Sequence, residues 1–153
     1  MSKRRERRIQ YAALPFRPGL DGVEVMLITS RETKRWVIPK GWPMPGKSPV
    51  EAAAIEAHEE AGIDGAVAET PVGAYSYLKR LKSGKDRPVE VVVYPLRVEA
   101  LLDDYPEKAE RSRQWFAPVV AAALVEEEAL KALLLAFGRV RLDEAGDGAK
   151  PVA

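Results

Sequence analysis

The sequence predicts a mixed α/β protein, with one sheet of mixed strand direction and helices on its faces. Three observations carry that prediction. Strand-like and helical stretches are intermingled along the chain without the strict alternation of a doubly wound parallel sheet. One segment, Ser48–Gly62, carries a full set of helix start and stop signals. The length, 153 residues with 46% apolar and 31% charged, suits one globular domain that buries its own core.

The elements follow in order. Residues 1–8 (MSKRRERR) form a basic tail, with no apolar core behind it to make a secretory signal. The domain proper is expected over residues 9–142, with a C-terminal tail over 143–153. Ile9–Arg17 and Val23–Ser30 read as strands joined by the turn Pro18-Gly19-Leu20-Asp21-Gly22. Trp36-Val37-Ile38 is a short strand stopped by Pro39 and Gly41. Two longer strand stretches are expected at about Val67–Lys79 and Val89–Val98, around the polar turn Lys82–Asp86. A loop through Asp103, Asp104, Tyr105 and Pro106 leads to a strand at Gln114-Trp115-Phe116. Pro118–Phe137 is helical, in one piece or two.

Composition narrows the chemistry. Lys plus Arg is 24 and Asp plus Glu is 23, a net charge of +1 that does not fit a general nucleic-acid coat. There is no cysteine, hence no disulfide framework, thiolate zinc site or thiol nucleophile. A single histidine, His58, leaves oxygen ligands as the means of holding a metal. No apolar run reaches the roughly 20 residues that span a bilayer, and the expected setting is cytoplasmic.

The helix at Ser48–Gly62 carries the functional signal. Ser48 is the N-cap, Pro49 suits the first turn, Glu51 completes a capping box and Gly62 closes the helix. Glu56, Glu59 and Glu60 have no such structural task. At about 100° per residue they share one face. Like charges so spaced repel, and the C-terminal end of the helix disfavours anions. A solvated acidic face is one reading. The other is an oxygen-ligand site for a hard divalent cation, Mg²⁺ or Mn²⁺. The preceding loop, Pro39–Lys47, adds glycines and two lysines, a setting that suits a pyrophosphate. His58 points about 160° away from Glu56 and is left out of the site. Trp42 is read equally as a packing residue or a stacking one, and Tyr75 and Tyr77 as half-buried tyrosines sharing one sheet face.

Gly41–Ile63 (GWPMPGKSPVEAAAIEAHEEAGI) resembles the Nudix box, G-x5-E-x7-R-E-U-x-E-E-x-G-U. Gly41, Glu56, Glu59, Glu60, Gly62 and Ile63 take motif positions. Lys47 stands in place of the first Glu, Ile55 in place of Arg, and Ala57 is small for its aliphatic position. Ser30-Arg31, Arg35–Pro39, the tract Lys79, Arg80, Lys82, Lys85 and Arg87, and Arg111–Phe116 are similar to the diphosphoinositol polyphosphate phosphohydrolase branch.

The resemblance implies a Nudix-type α/β/α sandwich with a mixed β-sheet. It also implies Mg²⁺-dependent, or Mn²⁺-dependent, cleavage of a phosphoanhydride bond in a small, highly phosphorylated substrate. Glu56, Glu59 and Glu60 are the implied metal ligands, with Glu56 or Glu59 acting on the attacking water. Arg31, Arg35, Lys40, Gly41, Lys47 and Arg113 are the expected substrate-binding residues. In the family the box Arg orients the first helix glutamate; Ile55 cannot, so Lys47 or Lys40 is expected to hold Glu56 instead. The competing function is a Nudix domain that binds a nucleotide or polyphosphate without cleaving it. Processing of a nucleic-acid end is disfavoured by the near-zero net charge, and no membrane partner is expected.

Overall fold

The structure is a computed structural model that describes residues 8–147, with side chains described as far as residue 140. Most of the expected basic tail, residues 1–7, and residues 148–153 of the expected C-terminal tail lie outside the described residues.

The element order is β1 (Ile9–Gly19), β2 (Gly22–Thr29), β3 (Trp36–Val37), β4 (Lys40–Gly41), α1 (Pro49–Ala61), β5 (Ile63–Val67), β6 (Gly73–Arg80), β7 (Asp86–Leu101), β8 (Arg113–Phe116), α2 (Pro118–Leu124) and α3 (Glu128–Asp147). The strands make one mixed sheet. β1 and β7 run parallel at its centre, and every other pairing is antiparallel. β2 leaves β1 after Val25 and turns to pair with β8 and β3, which frees the edge of β1 at Tyr11 and Ala12 for β4. That pairing brings Lys40 and Gly41 onto the sheet directly before the loop that enters α1.

Alternation along the central strands divides the core in two. Ala12, Leu14, Val89, Val91 and Val93 face one side, packed against Leu130, Leu134 and Phe137 of α3 and Ala121 and Ala122 of α2. Ala13, Met26, Ile28, Tyr94 and Leu96 face the other, packed against Ala53, Ala57 and Ala61 of α1. The result is the expected α/β/α sandwich. Alanines on the inner face of α1 hold it close to the sheet, so its glutamates emerge at the sheet margin.

Two features differ from the sequence reading. The stretch expected as one strand from Val67 is two, because β5 begins at Ile63, directly after the helix cap, and Pro71 interrupts before β6. The link stays on β7, with Ala68 N–H donating to the Pro95 carbonyl at 3.0 Å and Val72 N–H to that of Val93 at 2.8 Å. The last helical stretch is in two pieces, one of the two forms expected, with its break at Val125, but it runs on past Phe137. Lys131 Nζ donates to the carbonyls of Ala122 and Val125 at 3.1 and 2.7 Å, and α3 continues past residue 142 to Asp147. Among the described residues no helix is long and apolar enough to cross a membrane.

Candidate active site

The start of α1 is built as its sequence dictates. The Ser48 side chain accepts from Glu51 N–H at 3.2 Å, and the Glu51 carboxylate accepts from Ser48 N–H at 2.8 Å. Glu51 therefore does the capping work expected of it. At the far end Gly62 adopts φ 66°, the left-handed cap that lets the chain turn at once into β5. A Cβ there would also meet the Tyr105 ring at 2.3 Å.

Between these caps, Glu56 and Glu60 face each other one turn apart and hydrogen-bond carboxyl to carboxyl. Glu60 is 7% exposed and Glu56 half-buried. Burial, then the bond to Glu56, pushes the Glu60 carboxyl up to about 8. Burial likewise raises Glu56, helped by the nearby charge of Glu59. The pair thus holds a proton at neutral pH. Glu59 is half-buried, and its carboxylate makes no hydrogen bond or ion pair among the described residues. Among those residues no three acidic or imidazole groups converge closely enough to form a ready-made cation cage. The structure brings Glu56 and Glu60 together and leaves Glu59 beside them.

Gly41 explains how Glu56 is placed. A Cβ on Gly41 would lie 2.0 Å from Glu56 Oε2 and 2.3 Å from its Cδ, so the bare backbone of β4 forms one wall for that carboxyl. Lys40 N–H points at Glu60 Oε1, 3.4 Å away. The Lys40 ammonium lies 5.0 Å from the Tyr77 ring centre, where burial lowers it to about 8 against the opposing pull of Glu60. Tyr77 donates its hydroxyl to Gln10 Oε1 at 2.8 Å, and Gln10 is buried.

The other expected substrate residues are placed variously. Lys47 is exposed on the turn into α1, where its N–H donates to the Met44 carbonyl; its side chain has no partner among the described residues and does not hold Glu56. Arg31 is exposed and pairs with Glu110 at 3.2 Å. Arg35 pairs with Glu127 at 3.0 Å and more distantly with Glu126 at 3.7 Å, leaving Arg35 Nη1 and Glu127 Oε1 buried without a hydrogen-bond partner among the described residues. Arg113 serves the end of α1. It donates to the carbonyls of Ala61 at 2.7 Å, Gly62 at 3.2 Å and Leu102 at 2.9 Å, and lies 4.9 Å from the Tyr105 ring centre. His58, turned away as expected, pairs with Asp64 at 3.1 Å.

Sequence reasoning missed Arg111 and Glu107 as members of the site. Arg111 Nη2 lies 3.9 Å from Glu60 Oε1, and Arg111 Nε pairs with Glu107 at 2.7 Å. Glu107 N–H donates to the Glu59 carbonyl at 3.0 Å. The available signal was the unexplained acidic face itself, which requires positive charge from another element.

Residues 7–136 match the NUDIX domain family model. The chain is 32% identical over 132 residues to Nudix hydrolase 12, mitochondrial, of Arabidopsis thaliana, covering 82% of this chain and 65% of the relative. It is also 32% identical over 107 residues to diphosphoinositol polyphosphate phosphohydrolase 3-beta of Homo sapiens, covering 69% of this chain and 61% of that one. The chain thus spans less than two thirds of the length of these relatives. In fold it resembles the crystal structure of the C. elegans Ap4A hydrolase, with a TM-score of 0.62, 21% identity, and 88% and 98% of the two chains covered.

Proposed function

The chain belongs to the Nudix family, and we propose that within it this domain is a Mg²⁺-dependent hydrolase of a phosphoanhydride bond in a small, highly phosphorylated substrate. One observation carries the reading: the Glu56–Glu60 carboxyl pair, Glu60 buried and Glu56 half-buried, set against the bare backbone of Gly41 and edged by Lys40 and Arg111. Two carboxyls forced together that strongly share a proton, and a hard divalent cation can take the proton's place. The donor set fits such an ion, all oxygen with no sulfur or imidazole. Glu56 and Glu60 would hold it, with Glu59 completing the set or turning to the attacking water.

Bound there, Mg²⁺ or Mn²⁺ would lower the pKa of a water and offset charge on the phosphate oxygens. The chain's own residues do the rest. Of the two carboxylates expected to act on the water, Glu59 is the one without a partner among the described residues, which suits it to accept a proton. Lys40, enclosed beside Tyr77, neutralises phosphate charge where water is scarce, and Arg31 does so from the rim.

The substrate class is read from charge. Lys79 and Arg87 stand directly opposite each other on β6 and β7, on the Tyr77 side of the sheet, with no anionic partner among the described residues. The next pair along, Arg80 and Asp86, is matched at 2.7 Å. Like charges opposed across strands destabilise a ribbon. The unmatched pair therefore favours a long anion: a diphosphoinositol polyphosphate, a dinucleoside polyphosphate or a nucleoside diphosphate derivative. We propose a cytoplasmic setting for the protein.

Phosphate release measured with and without Mg²⁺ across these classes, for the wild type and Glu56→Gln, tests the reading. Metal-dependent turnover lost in the variant is expected. Tight binding of a nucleotide or polyphosphate with no turnover would replace the enzyme with a sensor.

A further inference from the structure

The acidic face of α1 lacks a guanidinium of its own, because position 55 is isoleucine. Two carboxyls one turn apart, taken out of water at the C-terminal end of a helix, need positive charge from elsewhere. Lys40 gives Glu60 a backbone N–H, while its ammonium sits over Tyr77. Among the described residues the cation within ion-pair range of Glu60 is Arg111, delivered by the segment that enters β8.

The three nitrogens of Arg111 are shared out. Nε pairs with Glu107 at 2.7 Å, Nη1 donates to the Thr29 carbonyl at 3.2 Å, and Nη2 lies 3.9 Å from Glu60 Oε1. The backbone beside it is pinned to the end of β2. Ser112 N–H donates to Thr29 Oγ1 at 2.9 Å, and Thr29 N–H donates to the Ser112 carbonyl at 3.0 Å. Glu107 N–H, bonded to the Glu59 carbonyl, ties the same loop back to α1. The side chain is 11% exposed, so this fork is nearly dry. Two of its nitrogens fix the plane, and the third is turned to the carboxyl pair, with Glu60 Oε1 at 3.9 Å.

We propose that Arg111 is a positioning residue, held by Glu107 and Thr29, which fixes Glu60 and through it the Glu56–Glu60 pair, in place of a guanidinium at position 55. The proposal rests on reading that pair as the cation holder, and its test keeps the two claims apart. Arg111→Met is compared with the wild type by steady-state kinetics, thermal melting and crystal structures. The expected result is a fall in kcat of about 10–100-fold, as for other residues that orient metal-binding side chains, with KM within about threefold. In the crystal structure Glu60 turns out of the pair.

The double variant Arg111→Met/Ile55→Arg returns a guanidinium next to Glu56 and one turn before Glu59, and is expected to recover at least about tenfold of the lost kcat. A folded Arg111→Met with wild-type kcat, or with kcat kept and KM raised as for a substrate contact, overturns the proposal. So does a double variant with no recovery. Should Arg111→Met not fold, Arg111→Lys decides: one ammonium cannot serve Glu107 and Glu60 together, and a folded variant with Glu60 still in place overturns the proposal. A wild type that turns over nothing refutes the hydrolase reading alone, and the position of Glu60 in the variant crystals still judges Arg111.

Discussion

Glu60→Gln is expected to stabilise the metal-free protein at pH 8 while removing its activity. The Glu60 carboxyl rises from an ordinary value of 4.5 to about 8, burial being the leading cause and the bond to Glu56 the next. A raised carboxyl pKa means that the folded state binds the proton more tightly than the unfolded state. The stabilising proton is fully present below pH 4.5, and its contribution is lost as pH climbs through about 8. At 1.36 kcal/mol per pH unit, the shift amounts to at most about 4 kcal/mol forfeited between pH 5 and pH 8. The pull of Arg111 and Lys40 is already contained in that value, and because the two carboxyls titrate as a pair about 2–4 kcal/mol is the working figure. Gln keeps the shape, donates to Glu56 and never ionises. In chelator, Glu60→Gln should melt close to the wild type at pH 5 and about 10 °C above it at pH 8. Saturating Mg²⁺ should erase or reverse that gap, since the cation stabilises only the wild-type pair. A variant that melts below the wild type at pH 8 in chelator, or a gap that does not change with pH, refutes the account.

Three further outcomes follow from the same geometry. Gly41→Ala places a methyl 2.0 Å from Glu56 Oε2, so turnover should fall at least about 100-fold with a stability loss of about 1–3 kcal/mol; steady-state kinetics and denaturant melts measure both. Arg113→Ala strips the Ala61 and Leu102 carbonyls of their side-chain donor and leaves Gly62 with the Leu102 N–H alone, and should cost about 2–3 kcal/mol in urea unfolding while KM stays near the wild-type value. Ser48→Ala opens the capping box and should cost about 1 kcal/mol with kcat per folded molecule unchanged, read by chemical denaturation alongside an assay.

The parts legible in the sequence are those whose cause is local. The caps of α1 are spelled out within a few residues of each end, so Ser48, Glu51 and Gly62 could be assigned from spacing alone. The hairpin at Gly19–Gly22 follows from its glycines. The inward alanines of α1 foretell a helix pressed on a sheet. Strand β5 was missed because Gly65 and Asp64 weaken its pattern, and it exists through pairing with β7 across a register shift. Strand β4, two residues long, is defined by what it borders, the edge of β1 that β2 vacates.

The site divides along the same line. That Glu56 and Glu60 share a face is a property of the helix period, visible without coordinates. Which cations answer them is a property of the fold: of the two lysines expected to hold Glu56, Lys40 turns its backbone N–H to Glu60. Lys47, near in sequence, faces solvent, and Arg113, in a promising basic run, is taken up by the carbonyls of Ala61, Gly62 and Leu102. Its neighbour Arg111, two positions away on a strand entry, reaches Glu60 instead. In an extended segment residues i and i+2 start on the same side, so the pattern Arg-Ser-Arg could not say which guanidinium caps the helix and which meets the carboxylates. Tyr105, stacked on Arg113, and Glu107, paired with Arg111, make that choice, and both lie in a loop that reads as featureless. A charged site on this scaffold is therefore predicted best by asking which charges a helix leaves uncompensated, then seeking partners in the loops that the sheet order brings to its end.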